Sequence, residues 1–335
     1  MPTNKKKIKA SLLVLGCSIG YLLLSYFLIG FKSDQLILVG LFNFMYYLSA
    51  VTRKFILGFT VFIVFWIIFD YMKAFPNYEY HSVSIKELYE LEKSIFGFTF
   101  NGTIITPNEY WLAQHTTALD IMSGIFYLSW IPVPLTFAGI LFFYRKREFF
   151  YFSLTFLLVN LLGFFVYYIY PAAPPWYVQQ YGFDFIANTK GNTAGLSRFD
   201  AYFGVEIFKG LYEKSSNVFA AMPSLHSSYP LIVLYYGIRN KLGWINIILA
   251  VVTVGTYGQT NFEMGYAFKF LRVLTLILTQ IFNLGGFIAG VVISVLMIAF
   301  NRTITGKSYI YPLIPWDGKM LKRKVFRVRL PHGYK

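Results

Sequence analysis

The chain predicts an all-α fold, a polytopic integral membrane helical bundle of about eight transmembrane helices. Two observations about bulk composition and one about pattern predict it. Of 335 residues 56% are hydrophobic and 21% aromatic. Only 13% are charged, against roughly 25% in a soluble domain. Several apolar runs reach the ~20 residues that a helix needs to cross ~30 Å of hydrocarbon.

The first span covers about Ala10 to Phe31, after Lys5, Lys6, Lys7 and Lys9. No small-residue cleavage site follows these lysines, so the segment reads as a retained helix and not a signal peptide. The second span runs from about Gln35 to Val51 and the third, after Arg53 and Lys54, from about Phe55 to Met72. From Lys73 to about Thr117 the chain turns polar, with Glu87, Glu90, Glu92 and Asn108, and reads as an aqueous excursion holding a short interfacial helix. The fourth span, about Ala118 to Tyr144, tolerates Pro132 and Pro134 where neighbouring helices satisfy the freed backbone.

A fifth span covers about Phe149 to Tyr170, and Pro171, Pro174 and Pro175 forbid its continuation. A polar loop then runs to about Asn217, a sixth span from about Val218 to Ile238 and a seventh from about Leu242 to Tyr257. The last apolar region, about Phe270 to Phe300, reads as one tilted or broken helix.

The net charge of +15 is concentrated in short connections and at the two ends. Such clusters mark cytoplasmic loops. Placing Lys5 to Lys9, Arg53/Lys54, Arg145 to Arg147, Arg239/Lys241 and Lys322 to Arg329 on one side requires an even number of spans and puts both termini in the cytoplasm. The segments 73–117, 171–217 and 259–269 then share the outer face. No basic stripe with interleaved aromatics lies outside the apolar runs, which excludes nucleic acid as a partner. With Cys17 as the single cysteine, an internal disulfide is excluded too.

Asn217 to Pro230 reads N-V-F-A-A-M-P-S-L-H-S-S-Y-P, and puts Ser224, His226, Ser227 and Ser228 at the outer mouth of the sixth span. Serines in a membrane helix also bond the preceding turn, and a histidine at its end also snorkels to water. The order nevertheless suits a phosphate ester. Pro223 restricts a helix start, Ser224 and the first helix amides donate to phosphoryl oxygens, and His226 can protonate a departing alkoxide.

Read with Y-P-A-A-P-P-W-Y-V-Q-Q-Y-G from Tyr170 to Gly182 and A-G-L-S-R-F-D-A-Y-F-G from Ala194 to Gly204, this segment resembles the inositol phosphorylceramide synthase branch of the type 2 phosphatidic acid phosphatase superfamily. The likeness covers roughly Asn108 to Ile238. It implies a helical bundle with its site at the outer membrane face, no metal or other cofactor, and transfer of phosphoinositol from a phosphatidylinositol-like donor to a ceramide-type lipid alcohol. A lipid phosphatase, with water as acceptor, is the alternative within the same chemistry. The implied organisation is an N-terminal region 1–107, a phosphatase-like membrane domain 108–305 and a basic cytoplasmic tail 306–335.

The resemblance implies that Ser224 binds phosphate and that His226 serves the leaving group. Arg198 is the candidate phosphate fork, oriented by Asp200, although a headgroup-anchoring arginine would look the same. Trp176 and Tyr177 are candidates for a lipid entrance or equally for an aromatic belt. His115, in Q-H-T-T, lies on the outer side as a further candidate, and Asp120 reads as a helix-dipole partner.

The family pattern departs in one place. A nucleophilic histidine with its aspartate, in the form H-x-x-x-D, is expected after the seventh span, where Tyr257 to Arg272 reads Y-G-Q-T-N-F-E-M-G-Y-A-F-K-F-L-R. The histidines are His81, His115, His226 and His332. A non-catalytic lipid-binding relative, an altered segment, and a nucleophile recruited from elsewhere such as His115 are the three readings of that gap. A transporter would show paired half-repeats or a mid-membrane ionisable residue, and neither is visible.

Overall fold

With no water in hydrocarbon, a backbone amide must find its partner inside its own segment, and the apolar runs accordingly fold as helices. The computed structural model describes residues 4–213, 217–259 and 295–296. The expected span 270–300, except for Val295 and Leu296, and the tail 306–335 lie outside the described residues.

Helix α1 (Asn4–Ile29) is followed by α2 (Ser33–Leu48), α3 (Ala50–Gly58) and α4 (Thr60–Tyr71). The third expected span is thus a broken one, bent by 47° at Phe59. Helices α7 (Thr117–Leu128) and α8 (Pro132–Tyr144) fall on the fourth expected span and α9 (Lys146–Ile169) on the fifth. Helices α13 (Leu225–Arg239) and α14 (Ile245–Gln259), of 15 residues each, fall on the sixth and seventh expected spans. Among the described residues three helices are long and apolar enough to cross a membrane, or four with the bent pair counted as one.

The core lies around α9, which packs against α4, α8 and α13. Phe137, Leu141, Phe152, Phe156, Val159, Ile232, Val233 and Tyr236 fill it. Two polar pairs are satisfied inside it: Tyr229 donates to Asn160 Oδ1 at 2.6 Å, and the Thr155 and Tyr236 hydroxyls share a 2.9 Å hydrogen bond. At one end of the bundle Arg145 donates to Asn240 Oδ1 at 3.0 Å and Arg239 Nε lies 2.9 Å from Glu148. Lys54 is close enough to repel Lys146. Three of the basic connections therefore gather at the same end.

Between α4 and α7 the excursion holds more than the expected short helix. Helix α5 (Lys86–Phe96) and α6 (Pro107–Ala113) flank a hairpin of β1 (Phe98–Phe100) and β2 (Thr103–Ile105), in register Phe98 opposite Ile105. Its turn is Asn101-Gly102, with φ of 49° and 80°, the left-handed pair that a two-residue hairpin turn demands. Thr106 and Glu109 then cap α6 reciprocally.

The sixth span begins later than expected, at Leu225 and not near Val218. The reason is a competing use of the backbone before it. Ala172 N donates to Phe219 O at 2.9 Å and Ala221 N donates to Ala172 O at 3.3 Å, while Ser84 N donates to Pro171 O and Ala173 N to Ser84 O. Residues 84, 172 and 220 thus run side by side as isolated parallel bridges. The buried Asn77 amide closes the assembly by donating to Tyr167 O at 2.8 Å and to Phe219 O at 2.9 Å.

Replacing Asn77 by alanine removes both of these donors at a buried place. We expect Asn77→Ala to lower stability by about 1–3 kcal/mol per orphaned group, read as an earlier thermal unfolding in detergent. An unchanged midpoint would show that the junction is held without it.

Glu92, buried in α5, has its carboxyl pushed up from the ordinary 4.5 to about 8, by burial first and by the neighbouring Glu109 second. The folded state therefore holds a proton that the unfolded chain releases above pH 4.5. Stability from this group is full below that pH and is lost as pH rises through about 8. Amide exchange across residues 86–113 should accelerate over this window in the native chain, and Glu92→Gln should remove the dependence.

Candidate active site at the mouth of the bundle

A cavity of about 820 Å³ opens beside the N-terminus of α13. Ser224, Leu225, His226 and Tyr229 line it from that helix, and Asp120, Ser123, Tyr127, Trp130 and Ile131 from α7 and the turn after it. Residues 120, 123, 127 and 130 repeat at helical spacing, so one stripe of α7 faces the cavity.

Ser224 is the N-cap residue of α13, with extended backbone. The helix therefore begins with Leu225 and His226 amides directed to the cavity end, where an anion meets both amide hydrogens and the helix dipole. Tyr167 fixes the preceding turn by donating to Pro223 O at 2.9 Å. A side chain on Gly163 would meet Leu225 at 2.6 Å, so α9 approaches the start of α13 as closely as a glycine allows.

The His226 ring sits against Tyr127, with centroids 5.1 Å apart, and meets Trp130 edge-on at 4.7 Å. Its Nε2 lies 3.4 Å from the Tyr127 hydroxyl, which accepts a hydrogen bond from Tyr212 at 2.9 Å. Tyr212 belongs to α12 (Ile207–Glu213), so the loop before the motif closes over the aromatic cage.

Arg198 lies in α11 (Ser197–Phe203) and donates from Nε to Asp120 Oδ1 at 3.0 Å. The other oxygen of Asp120 is 3.3 Å from His115 Nδ1. Asp120 is 7% exposed, Arg198 24% and His115 43%, so a buried carboxylate holds a half-buried guanidinium and a more open imidazole. Close packing of α11 on α7 makes this contact: a Cβ on Gly124 would fall 2.1 Å from the Phe199 ring.

Two sequence expectations need correction. The partner that orients Arg198 is Asp120 and not Asp200, whose carboxylate instead accepts from the amides of Phe208 at 3.2 Å and Lys209 at 3.0 Å and so secures the start of α12. Tyr177 does not shape an entrance: it is fully buried in α10 (Pro175–Tyr181), donates to Asp184 O at 2.6 Å and accepts from Ile186 N. Trp176, its neighbour, does line the cavity. Sequence reasoning passed over Tyr127, Trp130 and Tyr167, although the spacing of Asp120, Ser123 and Tyr127 marks one helical face.

If Asp120 positions the arginine fork, Asp120→Asn should weaken binding of phosphatidylinositol by about tenfold, near the loss from Arg198→Ala. Lipid titration in detergent reads both, and an Asp120→Asn protein with native affinity would separate the carboxylate from the site.

Residues 86–258 match the model of the PAP2 superfamily. Residues 244–335 match a second one, the Bacillus/Clostridium GerA spore germination protein. The chain is 44% identical over 265 residues to the phosphoinositol dihydroceramide synthase of Bacteroides thetaiotaomicron, covering 78% of this chain and 86% of that protein. It is 31% identical over 156 residues to the inositol phosphorylceramide synthase of Candida albicans, covering 44% of this chain and 30% of that one. Over 85 residues it is 26% identical to stage V sporulation protein AF of Bacillus subtilis, covering 25% and 17%. No solved structure matches. With more than half of its residues inside the first model and a relative this similar over most of both lengths, the chain belongs to the PAP2 superfamily.

Proposed function

We propose that the cavity takes a phosphatidylinositol-like donor and moves its phosphoinositol group to a ceramide-type lipid alcohol. The observation that carries this reading is the placement of Ser224, Leu225 and His226 on the wall of one cavity that Asp120, the partner of Arg198, also lines. The names of the bacterial and fungal relatives support the substrate pair.

In this reading the phosphoryl oxygens lie on the α13 N-terminus, Ser224 and Arg198. The bond from phosphorus to the diacylglycerol oxygen breaks, and a bond to the acceptor hydroxyl forms. His226 supplies the proton that the departing oxygen needs, and the acceptor's proton restores the imidazole. Water in place of the alcohol would make the same step a hydrolysis. Eight spans, both termini cytoplasmic and the cavity on the periplasmic or lumenal face complete the arrangement, supported by the gathering of basic connections at the far end of the bundle.

A second reading has its own observation. The sequence contains no histidine between His226 and His332, and from residue 244 onward it matches the spore germination family. A chain that binds phosphoinositol lipid without turning it over fits both facts, because a phospho-histidine route needs an imidazole that can attack phosphorus.

Transfer of labelled headgroup from phosphatidylinositol to ceramide by the purified protein separates the readings. Turnover that disappears in His226→Ala is the outcome expected of a transferase. Binding that depends on Arg198, with no turnover, identifies a lipid-binding relative.

A further inference from the structure

The cavity wall continues beyond the P-S-L-H motif onto the N-terminal helices. Lys32, Ser33 and Asp34 line it from the start of α2, and Asp70 and Lys73 from the end of α4 and the turn after it. These residues precede the stretch 86–258 that matches the superfamily model. Lys73 Nζ donates to Asp70 Oδ1 at 2.6 Å, with the two side chains only 21% and 15% exposed. Lys32 is exposed at the rim, close enough to feel the charges of Lys73, Asp70 and Asp34. Tyr21 and Trp66 line the same stretch.

The mixture of charges decides which ligand fits. A second phosphate would meet two carboxylates beside the two lysines and be repelled by them. A ring of hydroxyls meets no such conflict, since each hydroxyl both donates and accepts, whereas ammonium only donates and carboxylate only accepts. Aromatic walls with a few placed polar groups are the usual lining of a small-molecule site and give the C–H faces of such a ring an apolar surface.

We propose that Lys32, Asp34, Asp70 and Lys73 form a polyol subsite that holds the inositol ring of the donor while Ser224 and the first amides of α13 hold its phosphate. This rests on the reading that the cavity takes a phosphoinositol lipid. It makes the N-terminal helices the specificity element of the protein and leaves the phosphate chemistry to the superfamily region.

Two water-soluble probes test it on the full chain in detergent: glycerophosphoinositol, which carries ring and phosphate, and glycerol phosphate, which carries phosphate alone. Tryptophan fluorescence reads the titrations. The native chain should bind the inositol probe at least about tenfold more tightly. In Lys32→Gln/Lys73→Gln that preference should vanish, while the glycerol phosphate affinity stays within about twofold and reports an intact fold. Asp34→Asn, on an exposed side chain that leaves the Lys73–Asp70 pair untouched, should lower the preference on its own. A preference that survives in both variants overturns the subsite and leaves the phosphoinositol reading standing. A native chain that binds neither probe, or both equally, overturns the phosphoinositol reading and the subsite with it.

Discussion

The site depends on a small knot of backbone hydrogen bonds at the mouth of the bundle, closed by the amide of Asn77. Three extended segments, around Ser84, Ala172 and Ala220, meet there as single parallel bridges, too short to be a sheet, with Ala172 between them fully buried. Asn77 donates to the last turn of α9 and to Phe219, tying the end of one span to the approach of another. Because the residues before Leu225 spend their polar groups in this knot, α13 starts at Ser224 and its first amides face the cavity. A chain free to continue the helix back to Val218 would have no helix terminus at this level.

Around that terminus the side chains divide the work by polarity. Tyr127 and Trp130 enclose the imidazole of His226, and Tyr167 fixes the turn before it. Asp120 is the one buried carboxylate shared by Arg198 and His115. A buried pair of this kind adds little net stability, since desolvation offsets most of the Coulomb attraction. Its contribution is positional: the planar fork of Arg198 is held at one edge by Asp120, which fixes the plane of the guanidinium.

Residues 244–258 fall within the matches to both family models. That stretch is most of α14, which packs against α7 and α13 and so belongs physically to the phosphatase-like bundle. The H-x-x-x-D pattern would come directly after it. The second match therefore spans the place where that pattern is expected, while the described residues that line the cavity all precede it.

The helical, membrane-spanning character was legible in the sequence, because a span is a property of composition over some twenty residues and needs no partner to be recognised. The motif around Ser224 and His226 was legible for a similar reason, as a contiguous run at a proline-marked helix start. The hairpin was missed although Asn101-Gly102 announces it, since the polar composition of the excursion masked a local turn signal. The partner of Arg198 was misassigned because Asp120 and Asp200 each sit in the first turn of a helix, and spacing alone favoured the aspartate two residues away. Likewise Tyr177 and Trp176 are adjacent aromatics that the sequence cannot distinguish, one buried in a loop core and the other on the cavity.

By itself, then, the sequence determined the membrane class, the helical architecture and the serine-histidine motif at a helix start, all of which are encoded by short-range composition and order. Only the tertiary structure decided which carboxylate faces the arginine, which aromatics hold the histidine and that the N-terminal helices share its cavity, because each is a distance between segments far apart in the chain and set by how closely their helices pack.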